Sequence, residues 1–164
     1  MTHKTHPETR IGHVHLRVAD LDRAITFYRD VMGFELQGIY ADQAAFLSAG
    51  NYHHHIGLNT WQSRGSTPPP DGHTGLYHTA FLYPDRKALA ATLRRVMDAG
   101  VKIDGASDHG VSEAIYFSDP DQNGIEIYRD RDPADWPRNA NGDLQMSLEP
   151  LDIAALLAEL VGAS

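Results

Sequence analysis

Apolar and polar residues alternate from residue 11 onward. In IGHVHLRV (11–18), Val14, Leu16 and Val18 fall on one side and His13, His15 and Arg17 on the other. That is the period of a strand with one buried face. Asp20 follows as an N-cap, and Ala24, Phe27, Tyr28, Val31 and Met32 recur at helical spacing until Gly33 supplies a C-cap. FELQG, AAFLSAG and HHHIGLNTW then read as short strands between turns. Residues 62–75 (QSRGSTPPPDGHTG) are rich in Pro, Gly, Ser and Thr and predict a linker. Beyond it the pattern returns. LYHTAFLY (76–83) alternates and carries His78, Asp85 opens a helix with Leu89, Leu93, Val96 and Met97 on one face, and Gly100 closes it.

His13 to Asp20 and His78 to Asp85 span the same seven residues; FELQG (34–38) matches VKIDG (101–105), and AAFLS (44–48) matches AIYFS (114–118). Agreement at so many offsets identifies an internal duplication. One strand–helix–strands module covers 11–61 and a second covers 76–130, after a loose polar arm at 1–10. The remainder, 131–164, holds a loop around Trp136 and then LDIAALLAELVGA, in which Leu151, Ala154, Leu157 and Val161 predict a docking helix that covers core or a subunit contact.

Composition narrows the chemistry. The 164 residues, 41% apolar and 22% charged, suit one globular domain or two half-domains on a common core. The absence of cysteine excludes disulfides, thiolate zinc sites, iron–sulfur clusters and a cysteine nucleophile. A net charge of −8 without a run of lysine or arginine argues against nucleic acid or an anionic membrane as partner. No stretch approaches the length of a membrane span, and MTHKTHPETR has no apolar core of a signal peptide, so a cytoplasmic protein is expected. What stands out is ten histidines.

The repeated unit resembles the vicinal oxygen chelate superfamily of glyoxalases, bleomycin-resistance proteins and extradiol dioxygenases. The strings GHVHLRVADLDRAITFYRDVMGF, SAGNYHHHIGLNTW, GLYHTAFL and DHGVSEAIYFSDPDQNGIEIYRDR are most like its catechol 2,3-dioxygenase branch, from residue 11 to about 138, and the tail is similar to that branch too. The resemblance implies an α+β fold in which two βαβββ modules form an incompletely closed barrel around a divalent metal. By motif position it assigns the ligands to His13, His78 and Glu126. The residues agree independently. His13 and His78 occupy the same place in two repeated strands, and Glu126 projects from the opposite face to Ile125 and Ile127. Two imidazoles and a carboxylate make the facial set of non-haem Fe(II), with Mn(II) as the alternative ion. Aligning AAFLS with AIYFS puts Ile56 opposite Glu126, so the four-ligand set of a glyoxalase I site is incomplete.

Ring cleavage beside a hydroxyl pair also needs proton traffic, for which histidine is suited. Among His53, His54 and His55, strand period puts His54 on the face of Ile56 and makes it the inner acid–base residue. The resemblance adds His109 and Tyr116 as groups that steady the substrate oxygens. His15 and Arg17 share the inner face of the first strand as pocket or packing residues, while His3, His6 and His73 sit in polar segments without a role. The expected activity is extradiol cleavage of a small aromatic diol with dioxygen, in a homodimer. Another metalloenzyme of the superfamily (a lyase, isomerase or antibiotic-modifying thiol transferase) and a metal-free drug-binding module are the alternatives. Familiar catechol 2,3-dioxygenases have four βαβββ units and this chain has two, so the site closes either within one chain or by exchange across a dimer.

Overall fold

The computed structural model describes residues 4–161. Strand β1 (Val14–Arg17) leads into helix α1 (Leu21–Thr26), whose first turn is capped by the Asp20 carboxylate accepting from the Arg23 amide. The predicted single helix does not stay α-helical: Phe27–Val31 form a π-helical turn, in which the Met32 amide reaches back to the Phe27 carbonyl. The widened turn buries both Phe27 and Tyr28. Gly33 ends it at φ +87°, as the sequence predicts. Strands β2 (Glu35–Tyr40), β3 (Ala44–Ser48) and β4 (Ile56–Asn59) complete a four-stranded sheet of order β1-β4-β3-β2.

The second module repeats this with β5 (Thr79–Leu82), α2 (Arg86–Asp98), β6 (Ile103–Asp108), β7 (Ser112–Ser118) and β8 (Gly124–Asp130), in the order β5-β8-β7-β6. In each module the first strand pairs in parallel with the last and the other pairs are antiparallel. The duplication is therefore structural as well as textual. The helices pack into one shared core, where Leu89, Leu93 and Val96 of α2 join Leu21, Ile25 and Tyr28 of the first module. Polar ties cross the same boundary. The buried Tyr28 hydroxyl donates to Asp119 at 3.0 Å, and Arg95 donates to the Val31 and Met32 carbonyls.

The fold is α+β, two βαβββ modules of the expected kind, but the two sheets are not closed into a barrel within the chain. Strands β1 and β5 each have one hydrogen-bonded neighbour and form an edge of their sheets. The tail departs from expectation. After a 3-10 turn (Pro133–Asp135), strand β9 (Glu149–Pro150) pairs with β6, and the helix α3 (Ile153–Ala158) is a short one that buries Leu156. Of the predicted stripe, Ala154 and Val161 are exposed and only Leu151 and Leu157 pack partly against the core. Residues 1–3 of the arm, with His3, and residues 162–164 lie outside the described residues.

Candidate metal centre

The second module brings four of the expected residues together. Glu126 sits in β8 between the buried Ile125 and Ile127, so strand alternation turns its carboxylate to the other face. Cross-strand register sets it beside Tyr116 on one side and Ala80 on the other. His78 immediately precedes β5, and its Nε2 lies 2.9 Å from Glu126 Oε2. The Tyr116 hydroxyl lies 3.3 Å from Glu126 Oε1 and 2.8 Å from His109 Nε2. Burial first, and then the Glu126 charge, push the Tyr116 pKa up to about 12, so the phenol keeps its proton at neutral pH. Behind it, His109 Nδ1 is 3.0 Å from the main-chain carbonyl of Ser147.

This donor set fits a divalent cation. Two ligands that share an ion at about 2.1 Å in cis positions sit about 3 Å apart, which is the spacing of His78 Nε2 and Glu126 Oε2. The second carboxylate oxygen lies 3.3 Å from the Tyr116 hydroxyl. His78 Nδ1 is buried without a hydrogen-bond partner.

The first module assembles the other residues. The His13 and His54 rings are 4.5 Å apart, and His54 also lies 5.1 Å from the Phe46 ring. Burial and then the His13 charge hold the His54 imidazole below its ordinary pKa. His53 Nδ1 contacts His54 Nδ1 at 2.8 Å, whereas His55 turns back to the Ser48 hydroxyl and the Ala49 amide. His54 is thus the member of the trio beside His13, but for a reason different from the one expected. Phe46 pairs with Gly57 as Tyr116 pairs with Glu126, and His15 pairs with Gly57 as Ala80 pairs with Glu126. The equivalent of Glu126 is therefore Gly57, not Ile56. The one-residue offset arises because the β3–β4 connection is one residue longer than the β7–β8 connection, Leu47 pairing with Ile56 but Phe117 with Ile125; His54 reaches His13 from that longer loop. A Cβ at residue 57 would meet the His15 ring at 2.9 Å, so that imidazole fills the space the other module gives to its carboxylate.

His13 does not join His78 and Glu126. Among the described residues no three His, Asp or Glu side chains are grouped to hold a metal, so the expected trio is divided between the two modules. His15 and Arg17 line a cleft of about 670 Å³ with Ser63, His73, Tyr77 and Asp121. Among the described residues, His6 and His73 make only local main-chain hydrogen bonds. Sequence reasoning did not find Ser147, which meets His109 through its backbone carbonyl and carries no side-chain signal for that contact. It also passed over Gly57, whose part is to have no side chain.

The chain is 41% identical over 155 residues to a catechol-2,3-dioxygenase of Bacillus subtilis (strain 168), covering 94% of this chain and 53% of that one. It is 30% identical over 122 residues to biphenyl-2,3-diol 1,2-dioxygenase 3 of Rhodococcus globerulus, covering 74% and 63%. The chain thus spans between half and two thirds of the length of these two relatives. A glyoxalase/dioxygenase structure from Nostoc punctiforme superposes with a TM-score of 0.64 at 19% identity, over 80% of this chain and 99% of that one, a likeness of fold. The duplicated unit also matches a family model from residue 10 to residue 127, and the chain belongs to the Glyoxalase/Bleomycin resistance protein/Dioxygenase superfamily.

Proposed function

We propose that the chain acts as a metal-dependent extradiol-type dioxygenase on an aromatic diol of the catechol type, with His78, Glu126 and His13 as ligands. The observation that carries this reading is Glu126 placed between His78 and Tyr116, with His109 hydrogen-bonded behind the phenol. The names of the Bacillus and Rhodococcus relatives support the reaction type. A set of two imidazoles and one carboxylate suits Fe(II), or Mn(II) in its place, and leaves positions for a chelating diol and dioxygen. The ion, when bound, supplies Lewis acidity toward the diol and a path for electrons between ring and oxygen.

The chain's own groups supply the rest. Tyr116, protonated at neutral pH, lies within reach of a diol oxygen placed beside Glu126. Burial and then His13 lower the His54 pKa, which favours the neutral imidazole that taking a proton from a hydroxyl requires. Because His13 and His54 lie ring against ring, whatever brings one to the metal brings both.

Since His13 lies apart from the other two, the reading includes a second copy of the chain that presents its own His13 and His54 to His78 and Glu126. The edge position of β1 and β5 supports this, as do the exposed Tyr77 and Leu82 on either side of the His78 strand. The test is complementation. His13→Ala and His78→Ala chains, each loaded with Fe(II) and each inactive, are unfolded together and refolded as a mixture with catechol and oxygen. Oxygen uptake with a yellow ring-opened product at about a quarter of the wild-type rate is the expected result, because half the dimers then carry one intact site of two. Active wild type with no recovery on mixing would place the whole site in one chain. Tight metal binding by wild type without oxygen uptake on any of several catechols would overturn the dioxygenase reading in favour of another enzyme of the superfamily.

A further inference from the structure

Among the described residues, the C-terminal extension is hydrogen-bonded to the candidate centre through Ser147. Its loop runs from Trp136 to β9, and Ser147 grips His109 and its neighbour by three hydrogen bonds. The Ser147 amide donates to the His109 carbonyl at 3.0 Å, the Ser147 hydroxyl donates to the Asp108 carbonyl at 3.2 Å, and the Ser147 carbonyl faces His109 Nδ1 at 3.0 Å. Pairing of β9 with Ser107 and Asp108 holds the loop from its other end.

A carbonyl oxygen can only accept, so its partner nitrogen must carry a hydrogen. His109 therefore has its proton on Nδ1, and in the neutral imidazole Nε2 is left as an acceptor. Nε2 faces the Tyr116 hydroxyl at 2.8 Å, shorter than the 3.3 Å from that hydroxyl to Glu126. The single phenolic hydrogen then points to His109, and the phenolic oxygen keeps its lone pairs for a hydrogen donor in the site. With the opposite tautomer, Nε2–H would donate to Tyr116, and the phenolic hydrogen would be turned to Glu126.

We propose that the Ser147 carbonyl is a positioning group that fixes His109 as the Nδ1–H tautomer and so makes Tyr116 a hydrogen-bond acceptor toward substrate. This deepens the function proposed above and rests on it for the role of Tyr116. It does not rest on it for the tautomer.

The tautomer can be read without turnover. The full-length chain, labelled with nitrogen-15 in histidine, is observed by long-range nitrogen–proton correlation at a pH well above the usual imidazole range; the His109 signals are those absent from His109→Asn. A protonated Nδ1 and an unprotonated Nε2 are expected, and a protonated Nε2 would overturn the proposal. Gly110→Ala then disturbs the grip. Gly110 has φ +74°, and a Cβ there would meet Pro137 Cγ at 3.0 Å and the Ser147 hydroxyl at 3.3 Å. Gly142→Ala is the control, with φ +85° and open space. Gly110→Ala should convert His109 to a mixture of tautomers and lower kcat by up to about a hundredfold with little change in KM, while Gly142→Ala does neither. A folded Gly110→Ala chain with mixed tautomers and full kcat would overturn the positioning role. Wild-type chain with the Nδ1–H tautomer but no oxygen uptake would instead sink the dioxygenase reading and leave the tautomer assignment standing.

Discussion

A Cβ at residue 124 would overlap the Tyr77 carbonyl and press on His78 Cβ at 3.2 Å. Gly124 opens β8 beside the start of β5, and its missing side chain lets the His78 backbone approach Glu126. Gly124→Ala should therefore shift the His78 end of β5. The expected outcome is a stability loss of about 1–3 kcal/mol in urea unfolding, together with weaker Mn(II) binding by calorimetry. Gly75→Ala, with nothing near its Cβ, should change neither. At this scale the sequence spoke clearly where a side chain does the work and poorly where main chain does. His78, Glu126, Tyr116 and His109 were all legible from repeat and motif position, and they meet. Gly124, Gly57 and the Ser147 carbonyl act through what they lack or through backbone, so no residue-type signal announced them.

Between elements, the buried Glu113 of β7 is a junction. It accepts from Arg86 at 3.0 Å, from Arg129 at 2.9 Å and from Arg131 at 3.3 Å. Arg86 also reaches Glu159 beyond α3, and Arg131 reaches Asp108. The network thus joins α2, the centre of the second sheet, and the C-terminal helix. Glu113→Ala leaves three guanidinium groups without their common acceptor and should cost about 3–5 kcal/mol, measured by urea unfolding. Burial alone would raise the Glu113 pKa, but hydrogen bonds from Arg129 and Arg86 outweigh it and hold the group below its ordinary value. Asp108, where burial is outweighed by the Gly110 amide and Arg131, is held low as well. Both carboxylates therefore stabilise the fold fully above the ordinary carboxylate range, and the contribution is lost as pH falls through their depressed folded-state values. Asp119 runs the other way, since its burial raises its pKa and acid relieves that cost. Unfolding at a series of pH values should show stability falling on the acid side in wild type, with a shallower fall in Glu113→Ala. Element type followed the hydrophobic period well, because buried faces impose it. Its failures came where something else intervened: the π-helical turn that buries Phe27 and Tyr28 together, the β3–β4 connection that is one residue longer than its counterpart, and the tail helix whose buried residue is Leu156 rather than the predicted stripe.

For the molecule as a whole, the duplication was legible from spacing alone, since two copies of one pattern in one chain carry their own alignment. How the copies face each other was not, because that depends on the edges of sheets rather than on any residue within them. The two modules also record a divergence. Where the first has His15 facing Gly57, the second has Ala80 facing Glu126. Each pair combines one large and one small residue, in opposite places. Gly57→Glu alone drives its Cβ against the His15 ring and should destabilise the chain by about 1–3 kcal/mol in thermal unfolding. Made after His15→Ala, the same change should be much milder. A carboxylate in this half is thus accommodated at lower cost once the imidazole is gone, so the width of one ring sets which order of the two changes the fold tolerates better.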